Sequence, residues 1–96
     1  MQTERRLEDH AIVLNAADNV ATALRDMPAG AYAWQPAGGE PRTIALVEAV
    51  PAGFKVAIEP IGAGQEVRKY GHAIGTASAD IRPGECVHVH NLKSSV

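Results

Sequence analysis

The chain has 96 residues, 46% of them apolar, and a formal charge of -2 at pH 7. That length suits one domain with a thin core, and with one Phe, one Trp and two Tyr much of the apolar content is alanine. The slightly acidic balance leaves no basic stripe to neutralise phosphates, which excludes nucleic acid as a partner, and no apolar run approaches a membrane span.

The opening stretch MQTERRLEDH lacks the apolar centre of a signal peptide, so residues 1–10 read as a flexible tail and the expected location is the cytoplasm. Ala11-Ile12-Val13-Leu14 is a short apolar run with β-branched members and reads as a buried strand. Asp18 is placed as an N-cap for a short helix over Asn19–Met27, where Val20, Ala23, Leu24 and Met27 fall at helical spacing. Pro28-Ala29-Gly30 would end that helix, since Pro lacks a donor and Gly tolerates positive φ. From there the pattern is β throughout. Ala31–Trp34, Thr43–Val47, Phe54–Ile58, Glu66–Tyr70 and Gly71–Ala77 are strand candidates, and Gln35–Pro41 is a loop. Arg82-Pro83-Gly84-Glu85 carries the signature of a type II turn. Cys86–His90 is the last strand. A turn glycine followed by an apolar-polar strand recurs after Gly53, Gly64 and Gly84, at spacings too irregular for a repeat array.

The last strand holds the most chemical side chains. If Cys86–His90 is extended, His88 and His90 share one face, roughly 7 Å apart at their Cα atoms. Two neutral imidazoles so placed suit a divalent metal or proton transfer, although a closed metal site needs further ligands, and none is visible nearby in sequence. A solvent-facing pair is the alternative. Lys55 stands in an otherwise apolar strand, either outward-facing or poised for a carboxylate. Arg68-Lys69-Tyr70 reads as a solvated edge that discourages strand pairing. Capping alone accounts for Asp18, His10 and His72 are isolated, and the lone Cys86 reads as a buried thiol that permits no internal disulfide and fits a reducing compartment. Gly62-Ala63-Gly64 lacks the third glycine and the following helix of a phosphate loop, and no Ser/His/Asp set is present.

Four stretches in this order carry a resemblance: Asp18-Asn19-Val20-Ala21, Pro51-Ala52-Gly53-Phe54-Lys55-Val56-Ala57, Lys69-Tyr70-Gly71-His72-Ala73-Ile74-Gly75 and His88-Val89-His90-Asn91. Together, from about Ile12 to Lys93, they resemble the SAF-type domain of altronate and galactarate dehydratases. They are equally similar to the separate small subunit of sulfolactate sulfo-lyase, of the same family. The resemblance implies a mainly β, small β-clip fold over residues 11–93, to which the reading of the residues adds one short helix near the N-terminus. It implies elimination of water, or of sulfite, from a sugar acid or related 2-hydroxy acid. It also implies a large dehydratase subunit as partner, which would hold most of a divalent iron or manganese site. With a core this small, a homo-oligomer is a further expectation.

On this resemblance His88, His90 and Lys55 are expected to be catalytic, with His88 and His90 also as metal ligands completed by the partner chain. Asn91, Asp18, Asn19 and Tyr70 are expected to bind substrate. Two departures stand out. The family commonly has Gly-His-Lys where this chain has Gly53-Phe54-Lys55, which puts any role of that histidine in doubt. The His-x-His-Asn ending places the chain nearer the altronate and sulfolactate branches than the galactarate one. The competing reading is a non-catalytic SAF-type module that binds carbohydrate or protein.

Overall fold

The structure, a computed structural model, describes residues 5–36 and 38–94, so residues 1–4 of the expected tail and Ala37 of the expected loop lie outside it. Its strands are β1 (Ala11–Ile12), β2 (Val20–Ala23), β3 (Gly30–Trp34), β4 (Arg42–Leu46), β5 (Lys55–Ala57), β6 (Glu66–Lys69), β7 (His72–Ala77), β8 (Cys86–Val87) and β9 (Leu92–Ser94). They form a four-stranded sheet in the order β1-β2-β5-β8, a three-stranded sheet β6-β7-β9 and the two-stranded ribbon β3-β4. All strand pairings are antiparallel. The mainly β expectation holds.

The expected helix over Asn19–Met27 is corrected: Val20–Ala23 is strand β2, and Asp18 caps no helix. Its alanines and β-branched residues lie between β1 and β5, and Val20, Ala21 and Ala23 are all buried, so helical spacing of apolar residues lost to burial on both faces of a sheet. The helical element that does occur is a single 3-10 turn, Leu7–Asp9, inside the stretch expected as a loose tail. That stretch is held. Leu7 is fully buried, and the amide of Ala33 donates to the carbonyl of Arg5 at 2.7 Å.

Two parts of the chain repeat one hydrogen-bonding scheme. Met27 and Val50 exchange a pair of backbone bonds, as Ile61 and Ile81 do. The Asp26 carboxylate accepts from the Ala52 amide at 3.0 Å, and Asp80 accepts from Ala63 at 2.9 Å. Gly53 donates to Ala23 and Ala23 to Phe54; Gly64 donates to Ala77 and Ala77 to Gln65. Thus Val20–Met27 (VATALRDM) and Ile74–Ile81 (IGTASADI) occupy equivalent places, and so do Val50–Val56 (VPAGFKV) and Ile61–Val67 (IGAGQEV). Gly53, Gly64 and Gly84, at φ 87°, 85° and 94°, are the third residues of turns closed by bonds from Phe54, Gln65 and Glu85 back to Pro51, Gly62 and Arg82. This is type II geometry, which needs positive φ there.

Side-chain alternation across β2, β5 and β8 divides the interior. Ala21, Ala23, Val56 and Cys86 join one core with Tyr32, Met27, Ile44 and Ile58. Val20, Ala57 and Val87 join a second with Val67, Ala77 and Ile81, between the four-stranded sheet and β6-β7-β9.

Candidate functional site

β8 stops at Val87, so the expected strand through His90 is corrected. His88–Asn91 is a turn: the Asn91 amide donates to the His88 carbonyl at 3.0 Å. The Asn91 side chain closes it from inside, accepting from the His88 amide at 2.9 Å and donating to the Cys86 carbonyl at 2.9 Å. Asn91 is 8% exposed and both ends of its amide are engaged within the protein, so it shapes the turn. His88 and His90 therefore share no strand face. His88 is half-buried with its ring 4.4 Å from that of Phe54, whereas His90 is exposed beside Val89, itself 81% exposed.

Asp18 and Asn19, expected as substrate ligands, are buried, and their side chains are bound to backbone groups. Asp18 is 2% exposed, and its carboxylate accepts from the amides of Tyr70 (2.9 Å) and Gly71 (2.7 Å). These are the two central residues of the β6–β7 hairpin loop, at φ 56° and 81°, the double positive φ of a type I′ turn. Tyr70 is a bulky residue in the left-handed region, and the bound carboxylate accounts for its staying there. Asn19 works one step further back. Its amide donates to the Glu66 carbonyl at 2.9 Å and accepts from the Arg68 amide at 2.7 Å. That closes the free edge of β6 across the bulge at Val67/Arg68. Asp18 and Asn19 thereby fix Lys69 and Tyr70 against the start of β2.

Lys55 lies mid-sheet, its Cα directly opposite Thr22 on β2 and Val87 on β8. Its ammonium is pushed below the ordinary lysine value, first by burial and then by the positive charge of Lys69, while the Cys86 thiol acts the other way. Burial, assisted by Glu48, raises the Cys86 thiol, with Lys55 opposing. Cys86 is buried and reads as packing, as expected.

The Lys69 charge thus acts on Lys55, and the His88 ring lies against Phe54. Val87 pairs opposite Lys55, whereas His88 is the first residue of the turn beyond β8. Lys69, expected as an edge charge, lies with its Nζ 5.0 Å from the centre of the Tyr70 ring. A groove of about 410 Å3 lined by Leu7, Val13, Leu14, Trp34 and Glu59 reaches Asp18 but includes none of Lys55, His88 or His90.

A metal is poorly served by this chain. Among the described residues no group of three or more His, Cys, Asp or Glu side chains is placed to hold one. No helix among them is long and apolar enough to cross a membrane.

The altronate/galactarate dehydratase SAF domain matches residues 9–95. Altronate dehydratase from Escherichia coli (strain K12) is 39% identical over 85 residues, covering 88% of this chain and 16% of that protein. Altronate dehydratase from Bacillus subtilis (strain 168) is 36% identical over 89 residues, with the same 88% and 16% coverage. Subunit alpha of (2R)-sulfolactate sulfo-lyase from Chromohalobacter salexigens is 45% identical over 47 residues, 49% of this chain and 50% of that subunit. The chain spans 16% of the length of the altronate dehydratases it matches.

Proposed function

The chain belongs to the altronate/galactarate dehydratase SAF domain family, and from that membership we propose that it acts as the SAF component of a cytoplasmic hydro-lyase for sugar acids, working with a larger catalytic part. The single observation that carries this reading is a family match running almost end to end. The match to a sulfo-lyase subunit, with 47 aligned residues making up about half of each chain, supports the larger part being a separate subunit.

In the proposed reaction a 2,3-dihydroxy acid loses the proton on C2 and hydroxide from C3, and the resulting enol ketonises to a 2-keto acid. This needs a base for the carbon-bound proton, countercharge for the enolate-like carboxylate, and an acid for the leaving hydroxide. Lys55 is suited to the countercharge. His88, half-buried, and His90, exposed on the same turn, are the candidates for moving protons, and Tyr70 stands on the hairpin tip as a hydroxyl donor. A divalent iron or manganese belongs to the larger part in this reading, because this chain offers no three-ligand site among its described residues.

Co-expression with the large dehydratase reading frame of its gene neighbourhood tests the proposal. A complex that forms a 2-keto acid from an aldonate supports it; absence of both complex and activity overturns it, leaving the non-catalytic module. The sulfo-lyase match favours one second reading, in which the same complex releases sulfite from sulfolactate. Assaying both products decides between them.

A further inference from the structure

Leu14, in the loop between β1 and β2, is 62% exposed and lines the 410 Å3 groove together with Leu7, Val13 and Trp34. Val13 and Trp34 are partly buried and pack against the first core, so the groove opens an apolar side of that core to solvent. Glu59 lines this groove and also a second hollow of about 530 Å3, shared with Asn19, Gln65 and Glu66, so the two adjoin at that residue. The groove's charged lining is acidic: Glu8, Asp18 and Glu59, with no lysine or arginine. Arg42, stacked on the Trp34 ring at 5.1 Å, is outside that lining. Glu8 pairs with Arg6 at 3.0 Å, and Asp18 holds the Tyr70 and Gly71 amides. Glu59 is half-buried and makes no ion pair among the described residues.

We propose that this groove is where the larger catalytic part docks, through an extended apolar segment that brings a lysine or arginine against Glu59. The occupant rests on the hydro-lyase reading above. Three features of the groove favour it. An exposed leucine beside a half-buried tryptophan, rimmed by polar groups, is the composition of a surface meant to be covered, with the aromatic as its anchor. Two hollows adjoining at Glu59 suit an extended segment better than one compact molecule. The unpaired carboxylate selects a basic partner and repels an acidic substrate, which keeps this surface apart from Lys55, His88 and His90, none of which lines it. A chain that spans 16% of the altronate dehydratases it matches has, in this reading, the bulk of such a protein to meet.

Trp34 is the only tryptophan of the chain, so 5-fluorotryptophan places a single 19F signal in the groove. The labelled 96-residue chain is titrated with the unlabelled large dehydratase subunit encoded in its gene neighbourhood. The 19F signal is expected to shift saturably as the complex forms. Leu14→Asp and Glu59→Lys should each weaken the complex by at least about ten-fold, the first by placing a charge on an apolar contact and the second by opposing a basic one. Both residues reach solvent, and an unchanged amide spectrum of each variant shows that its fold is kept. Val47→Asp, at an apolar residue 69% exposed outside the groove, should leave the affinity as it was. A complex that leaves the 19F signal unmoved, or that both groove variants form as tightly as the parent, overturns the groove and spares the hydro-lyase reading. Failure of the unaltered chain to form any complex overturns that reading and this occupant with it. A 19F shift that follows the concentration of the chain alone, and is lost in the same variants, makes a second copy the occupant and overturns the proposal.

Discussion

The carboxylate of Asp18 holds the backbone amides of Tyr70 and Gly71, 52 and 53 residues further along the chain, at 2.9 and 2.7 Å. This one contact lets an aromatic residue sit at positive φ on a hairpin tip and ties that tip to the sheet bearing Lys55. Replacing the carboxylate leaves two amides without their charged acceptor. Asp18→Ala is expected to cost about 2–4 kcal/mol, the loss of two hydrogen bonds to a charged group, read as a lowered urea midpoint. Asp18→Asn, which keeps one acceptor oxygen, should cost less. Equal stability of both variants and the parent would contradict the clamp.

Gly84 carries both a backbone and a packing constraint. Its φ is 94°, and a Cβ there would stand 1.9 Å from the Ala45 carbonyl oxygen of β4. The obstacle is backbone, which cannot rotate away. Gly84→Ala should therefore destabilise by roughly 3 kcal/mol, overpacking and left-handed strain combined. Gly53→Ala meets no atom within 4 Å, so at φ 87° it suffers the conformational cost alone. Its penalty is expected to be about 1 kcal/mol, and the ranking of the two is checked by denaturant unfolding.

The Phe54 ring meets that of His88 at 4.4 Å with a 41° tilt. Phe54→Leu removes the ring pair while keeping most of the apolar volume. A loss of about 0.5–1.5 kcal/mol is expected, with the His88 ring protons moving as the ring current disappears. Unmoved His88 resonances would show that the rings do not meet in solution.

Lys55 also makes a pH prediction. Its value in the folded chain lies below the ordinary 10.5, so between the two the unfolded chain binds a proton that the folded one lacks. Its penalty is fully present below the folded value and is relieved as pH rises through that window toward 10.5. Cys86 acts oppositely: its raised value makes stability fall as pH rises above 9.0. In a Cys86→Ala background the urea midpoint should rise with pH below 10.5, and Lys55→Met should flatten that rise.

Sequence patterning revealed strands well where one signal dominated. Arg42–Leu46 and His72–Ala77 fall within one residue of the expected segments, and the turns at Gly53, Gly64 and Gly84 were marked by glycine chemistry. Val20–Ala23 was misread because its apolar residues satisfy a helical spacing and a two-sided strand alike. Its likeness to Ile74–Ala77, read correctly as strand, contained the missing information. The histidine pair misled for another reason. Strand alternation predicts a shared face only while the strand continues, and the buried Asn91 side chain ends it at Val87. Lys55 was legible as an odd residue in an apolar strand. The Lys69 charge that acts on it is not legible there, because the place of Lys69 depends on Asp18 and Asn19 binding a hairpin some fifty residues away.

The central claim is that this chain performs the role of an SAF domain in a dehydratase. It is tested most directly by replacing the matching segment of Escherichia coli altronate dehydratase with residues 9–95 and measuring 2-keto acid formation from altronate. The account predicts a folded chimera that dehydrates altronate and loses most of its activity on Lys55→Met. A folded chimera with no turnover, or one indifferent to Lys55, would contradict it.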